Sequence, residues 1–166
     1  MSTAQPHDGR FSRDGQTAWK AAAPFVVLGL VAVVAGGLYS ALAASTPTRQ
    51  GAWLVAYLVL VVGVAQVGLG AGQAWLAERR LGAGFLAAEF AAFALGNLGV
   101  ATGTMLSLPA LVDVGGVLLV VSLVLFLRGV WGSRRGGWLR WLYAALVAIL
   151  LVSIPIGLVL AQIRAN

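Results

Sequence analysis

Four stretches of this sequence, Ala21 to Thr48, Gln50 to Ala77, Phe90 to Val112 and Trp141 to Ile163, contain no Asp, Glu, Lys or Arg. At about 1.5 Å per residue, each is long enough as a helix to cross roughly 30 Å of bilayer hydrocarbon. Hydrocarbon offers no water to satisfy a backbone N–H or C=O, so a chain that enters it must be helical or close into a barrel. With 60% hydrophobic residues and only 10% charged ones, the chain is too apolar to surround itself with water. The expected fold is therefore an all-α, polytopic integral membrane bundle.

The punctuation between apolar runs gives five spans, at about 21–44, 52–77, 81–106, 110–127 and 141–163. Residues 1–20, with Asp8, Arg10, Arg13 and Asp14, lack apolar periodicity and are expected to form a mobile tail, leaving 21–166 as the transmembrane domain. Basic residues, an apolar run and Ala41-Leu42-Ala43 also match the outline of a secretory signal peptide. The run is too long for a typical signal, so an uncleaved first span is expected. Pro24 is expected in that span's first turn, where its missing N–H costs nothing. Ser107-Leu108-Pro109 breaks the third span from the fourth.

Charge sets the expected orientation. Arg10, Arg13, Lys20, Arg79, Arg80, Arg128, Arg134, Arg135 and Arg140 fall on one side of a five-span chain, against Arg49 and Arg164 on the other. The positive-inside rule then places the N-terminus in the cytoplasm and the C-terminus outside. An Arg-dominated cation set in an Ala-, Gly-, Val- and Leu-rich chain points to a bacterial cytoplasmic (inner) membrane. The net charge of +6 is carried beside apolar runs rather than along a polar face with interleaved aromatics, which argues against nucleic acid as a partner.

Reactive side chains are scarce. There is no cysteine, His7 is the sole histidine, and there are two methionines, so no metal or cofactor site is expected from this chain alone. None of the common hydrolase, metalloprotease or phosphate-cradling motifs is present, and the familiar general bases are largely missing, so the chain is not expected to be an enzyme and no catalytic residue is assigned.

The polar residues at membrane depth carry what functional signal there is. Gly63, Gln66, Gly70 and Gln73 follow one another at spacings of 3, 4 and 3, which keeps them on one stripe of the second helix. Gly68 and Gly72 add a G-x-x-x-G pair suited to close helix packing. Glu89 lies about 12 Å into the third span and must be neutral, paired or wet. If spans two and three form a hairpin, Glu89 falls level with Ala71, within about one turn of both Gln66 and Gln73. A protonated Glu89 donating to a glutamine carbonyl is the expected arrangement. Glu89, Phe93, Gly96 and Asn97 share a face, giving a second seam that should meet the first. Arg128, Arg134, Arg135 and Arg140, among Trp131, Trp138 and Trp141, are candidates for contact with anionic lipid.

Two functional expectations follow. The scarcity of reactive groups and the small-residue seams favour a non-catalytic accessory subunit or assembly factor, partnered by the bilayer and by other membrane subunits or further copies of itself. The alternative is a small channel or carrier, proton-coupled through Gln66, Gln73, Glu89 and Asn97.

Overall fold

The computed structural model describes residues 8–77, 81–131 and 137–165, and the side-chain surroundings of 19–77, 81–131 and 137–156. Its elements are α1 (Asp8–Leu42), a short 3-10 turn (Ala43–Ser45), α2 (Arg49–Tyr57), a π-helical segment (Leu58–Ala65), α3 (Gln66–Leu76), α4 (Ala83–Met105), α5 (Pro109–Val130) and α6 (Gly137–Ala165). No strand occurs among the described residues. Among the described residues, five helical stretches are long and apolar enough to span a membrane: Trp19–Ser45, Arg49–Leu76, Ala83–Met105, Pro109–Val130 and Gly137–Ile156. The second is α2, the π segment and α3 run together. This chain is a five-span helical membrane bundle.

Several boundaries differ from the sequence reading. α1 starts at Asp8, so residues 8–20 continue the first span as helix, and Pro24 sits inside the helix rather than in its first turn. α2 starts at Arg49 because the Thr48 hydroxyl accepts the Gly51 N–H at 3.0 Å and caps the helix. α5 runs through Arg128 to Val130, placing a cation in its last turn, where it complements the negative end of the helix. α6 begins at Gly137, ahead of the expected Trp141.

The turn between α4 and α5 is as short as the sequence implies. Ser107 adopts a left-handed backbone (φ 56°), and the Leu108 N–H donates to the Gly103 carbonyl at 2.8 Å. This is a Schellman closure, with Pro109 opening the next helix.

That turn holds α4 and α5 in close backbone contact. A Cβ on Gly99 would lie 3.1 Å from the Gly115 Cα, and one on Gly96 would lie 3.0 Å from the Gly115 carbonyl oxygen. Gly103 abuts the Val112 backbone in the same way, at 2.8 Å. Small residues permit this approach, which supplies dispersion contact where lipid tails remove any hydrophobic drive between helices.

The core joins the helices through aromatic rings. Phe25 of α1 meets Phe90 of α4 and Phe126 of α5 edge-on, at centroid distances of 5.2 and 5.4 Å, and Phe126 also meets Phe93 at 6.1 Å. Leu69, Leu76, Leu119, Leu123 and Val147 fill the space around them. The outward faces are apolar: Val27, Leu30, Val31, Val34 and Leu38 on α1, and Val114, Val117, Val121 and Val124 on α5, are exposed. A soluble protein would hide such stripes, whereas a bilayer requires them.

Candidate functional site

The four intramembrane polar residues singled out by the sequence, Gln66, Gln73, Glu89 and Asn97, are all buried, none more than 4% exposed. They divide into two hydrogen-bonded groups and one unpartnered amide.

The first group is Gln73 of α3 with Glu89 of α4. The Gln73 Nε2 donates to both carboxyl oxygens, at 2.9 Å to Oε1 and 3.1 Å to Oε2. The hairpin depth argument located this pair, but the expected polarity was reversed: the glutamine amide is the donor and the carboxyl the acceptor. The Ser122 hydroxyl of α5 donates to the Glu89 backbone carbonyl at 3.4 Å. Gly129 of α5 makes room for the amide, since a Cβ there would overlap the Gln73 Nε2.

The second group lies two turns along α4. The Asn97 Nδ2 donates to the Phe93 carbonyl at 2.8 Å, one turn back, and the Asn97 Oδ1 accepts the Tyr57 hydroxyl at 2.8 Å. Tyr57 in turn stacks on Trp53, with centroids 5.0 Å apart. Sequence reasoning missed Tyr57 for a geometric reason. Nine residues separate it from Gln66, about two and a half turns of regular α-helix, which would put the two on opposite faces. The π segment Leu58–Ala65 intervenes, and its wider turn brings Tyr57 round to the buried seam. No residue type in that Leu- and Val-rich stretch signals the change of period.

Gln66, at the first turn after the π segment, is fully buried, and neither its Nε2 nor its Oε1 has a hydrogen-bond partner among the described residues. The hydroxyl of Tyr143 on α6 is likewise buried and has no hydrogen-bond partner among the described residues. Tyr143 carries no sequence signal beyond an aromatic in an apolar run. Its ring rests on Gly72, where a Cβ would meet the ring at 2.5 Å.

The glycines have different neighbours from those the stripe implied. Gly63 and Gly70 receive α1: a Cβ on Gly63 would meet Val33 at 2.5 Å and the Gly29 carbonyl at 3.3 Å, and one on Gly70 would meet Phe25 at 2.5 Å. Gly68 and Gly72 seat side chains of α6, Leu146 and Tyr143, rather than another backbone. Gly96 faces Leu119 and Gly115 of α5 instead of the second span. The second span is therefore central, with α1, α6 and the α4–α5 hairpin taking separate sides of it. A single stripe of small residues could not disclose which neighbour each glycine serves.

Of the cationic candidates, Arg128 and Arg140 are exposed, and the Arg140 guanidinium stands 5.8 Å from the Trp141 ring centroid. Trp131, Trp138 and Trp141 project outward at the same helix ends. Arg134 and Arg135 lie outside the described residues. Among the described residues, no three His, Cys, Asp or Glu side chains converge as a metal site.

The fold and the buried seam define a multi-pass helical membrane protein whose polar chemistry lies inside the bundle. No protein-family model, curated protein or solved structure matches the chain.

Proposed function

We propose that this chain is a non-catalytic subunit or assembly factor of a larger complex in a bacterial cytoplasmic membrane, with its N-terminus in the cytoplasm. The observation that carries this reading is how the intramembrane polar groups are used. Gln73, Glu89, Asn97 and Tyr57 take one another as partners across α2, α3 and α4. Polar side chains spent in this way act as interhelical links, each worth about 0.6 to 2 kcal/mol in a membrane. The exterior is apolar, and Gly63, Gly70, Gly96, Gly99, Gly103 and Gly115 are committed to internal packing, which gives a small rigid body suited to sit beside a larger one.

The test is extraction of the tagged full-length chain in mild detergent at its native level of expression. Native mass spectrometry should find it in fixed stoichiometry with another membrane protein. A monodisperse monomer with no companion would refute the proposal.

The orientation has its own test, and the absence of cysteine makes it clean. A single cysteine introduced at Ser2 should be shielded from an impermeant maleimide in intact cells, and one at Thr46 should be labelled. The opposite pattern would invert the topology.

The unpartnered Gln66 amide supports a second reading, a small proton-coupled channel or carrier. Proteoliposomes holding the purified chain should then acidify under an imposed gradient, and Gln66→Leu should abolish the flux. A proton leak equal to that of empty vesicles would remove this reading.

A further inference from the structure

We propose that the end of the bundle where α3 and α5 terminate is a binding surface for anionic phospholipid, on which Lys20, Arg128 and Arg140 meet negatively charged headgroups within a ring of exposed tryptophans.

Packing contacts bring these residues to one level. α1 and the second span run antiparallel, with Gly29 against Gly63 and Phe25 against Gly70. Trp19 and Lys20, just ahead of Phe25 in the chain, therefore stand level with Trp75, as far beyond Gly70 in the opposite direction. Gln73 packs against Gly129, which sets Arg128 and Trp131 of α5 beside the same end of α3. α6 is also antiparallel to the second span, with Leu146 against Gly68 and Tyr143 against Gly72, so Trp138, Arg140 and Trp141 share that level. At the rise of a helix, all of them fall within about 8 Å along the bundle axis.

Exposure and charge at this level select the ligand. The five tryptophans of the band are each more than half exposed. The sixth, Trp53, lies toward the opposite end and stacks on Tyr57. An indole combines a large apolar face with one N–H donor, which suits the boundary between acyl chains and headgroups. Lys20, Arg128 and Arg140 are exposed at the same depth, and the Arg140 guanidinium is 5.8 Å from the Trp141 ring centroid, which ties its charge to that indole. Among the described residues, no exposed acidic side chain shares the band, since Glu89 is fully buried. The described charges toward the opposite end, Arg49 and Asp113, sum to zero. The surface is therefore one-ended in both aromatic content and charge. Its cations belong to α1, α5 and α6, which take separate sides of the second span, so they surround the bundle rather than gather in one groove. A ring of separate lipids meets that arrangement, and one acidic segment of a partner protein does not. A cation near the membrane surface favours an anionic lipid by a factor of about five. Averaged over boundary lipids, many of which touch no cation, the expected preference is roughly two- to fourfold.

The tryptophans report on their own surroundings. The purified full-length chain is reconstituted in phosphatidylcholine vesicles that contain, at one mole fraction, either phosphatidylglycerol or phosphatidylcholine brominated near the headgroup end of its acyl chains. Bromine quenches only indoles that it touches, and lipid in both leaflets makes the reading independent of the chain's orientation. Quenching by the anionic lipid should exceed that by the zwitterionic one in the roughly two- to fourfold ratio, and the excess should shrink as salt screens the charges. Lys20→Gln, Arg128→Gln and Arg140→Gln together should lower the ratio, with circular dichroism reporting an intact fold, whereas Arg49→Gln should leave it in place. Equal quenching by the two lipids would overturn the proposal and leave an acidic partner protein as the ligand of these cations. A ratio undiminished in the triple variant, or lowered as much by Arg49→Gln, would overturn the assignment to these three residues. Lipid preference in vesicles and the search for a stoichiometric companion read different properties, so either can fail without the other.

Discussion

Replacing Gly115 with alanine should loosen the α4–α5 hairpin by an amount that the coordinates allow to be worked out. The added Cβ would lie 2.7 Å from the Val100 nitrogen, 2.8 Å from the Gly96 oxygen and 3.0 Å from the Gly99 carbonyl carbon. All three are backbone atoms, so no side chain can swing aside. Reaching ordinary contact at 3.4 Å requires the helices to part by about 0.7 Å. A gap of that size forfeits roughly a quarter to a half of each dispersion contact along the seam. Overpacking of this kind costs about 1 to 3 kcal/mol, and alanine's better helix propensity returns at most about 1 kcal/mol. Less is returned where the detergent-unfolded chain stays helical. The expected net loss is about 1 to 2 kcal/mol, read by tryptophan fluorescence during reversible unfolding in micelles of rising SDS content. Gly37→Ala is the control, because a Cβ there meets nothing within 4 Å, and it should leave stability unchanged or raise it by up to about 1 kcal/mol. If Gly115→Ala unfolds at the same SDS fraction as the unaltered chain, or if both variants shift equally, the close-packing argument is wrong.

Two further substitutions probe the polar seam. Gln66→Leu keeps the volume and removes two buried atoms that have no partner, so it should raise stability by about 1 to 3 kcal/mol in the same unfolding assay. A loss of stability would mean that the folded protein gives the Gln66 amide a partner. Tyr57→Phe deletes the hydroxyl that donates to Asn97 and should cost about 0.5 to 1.5 kcal/mol. Combined with Asn97→Ala in a double-mutant cycle, the two should be non-additive, and additive effects would show that the bond does not form.

The placement of Glu89 shows how far the sequence reaches. Its depth follows from counting residues back to the charged residues Glu78, Arg79 and Arg80, because helical rise is fixed and so dense a run of charge stays out of hydrocarbon. The same counting brings it level with Gln73. Counting cannot give the direction of the hydrogen bond, since an amide offers both a donor and an acceptor and its rotamer depends on what packs beside it. Here that neighbour is Gly129, more than fifty positions away in the chain.

What the sequence determined by itself is the solvent and the number of crossings. Uncharged runs of membrane length and the turns between them follow from local composition and from the need to satisfy every backbone group within its own helix. Tertiary structure alone decided which face of each helix meets which neighbour. In lipid, an apolar side chain is equally at home against protein or acyl chain, so hydrophobicity does not mark the inward face as it does in water. The choice falls to shape: the notch at Gly96, Gly99 and Gly115, the seat for Tyr143 on Gly72, and the π turn that brings Tyr57 to Asn97. Each depends on atoms distant in sequence or on a backbone change that composition does not record.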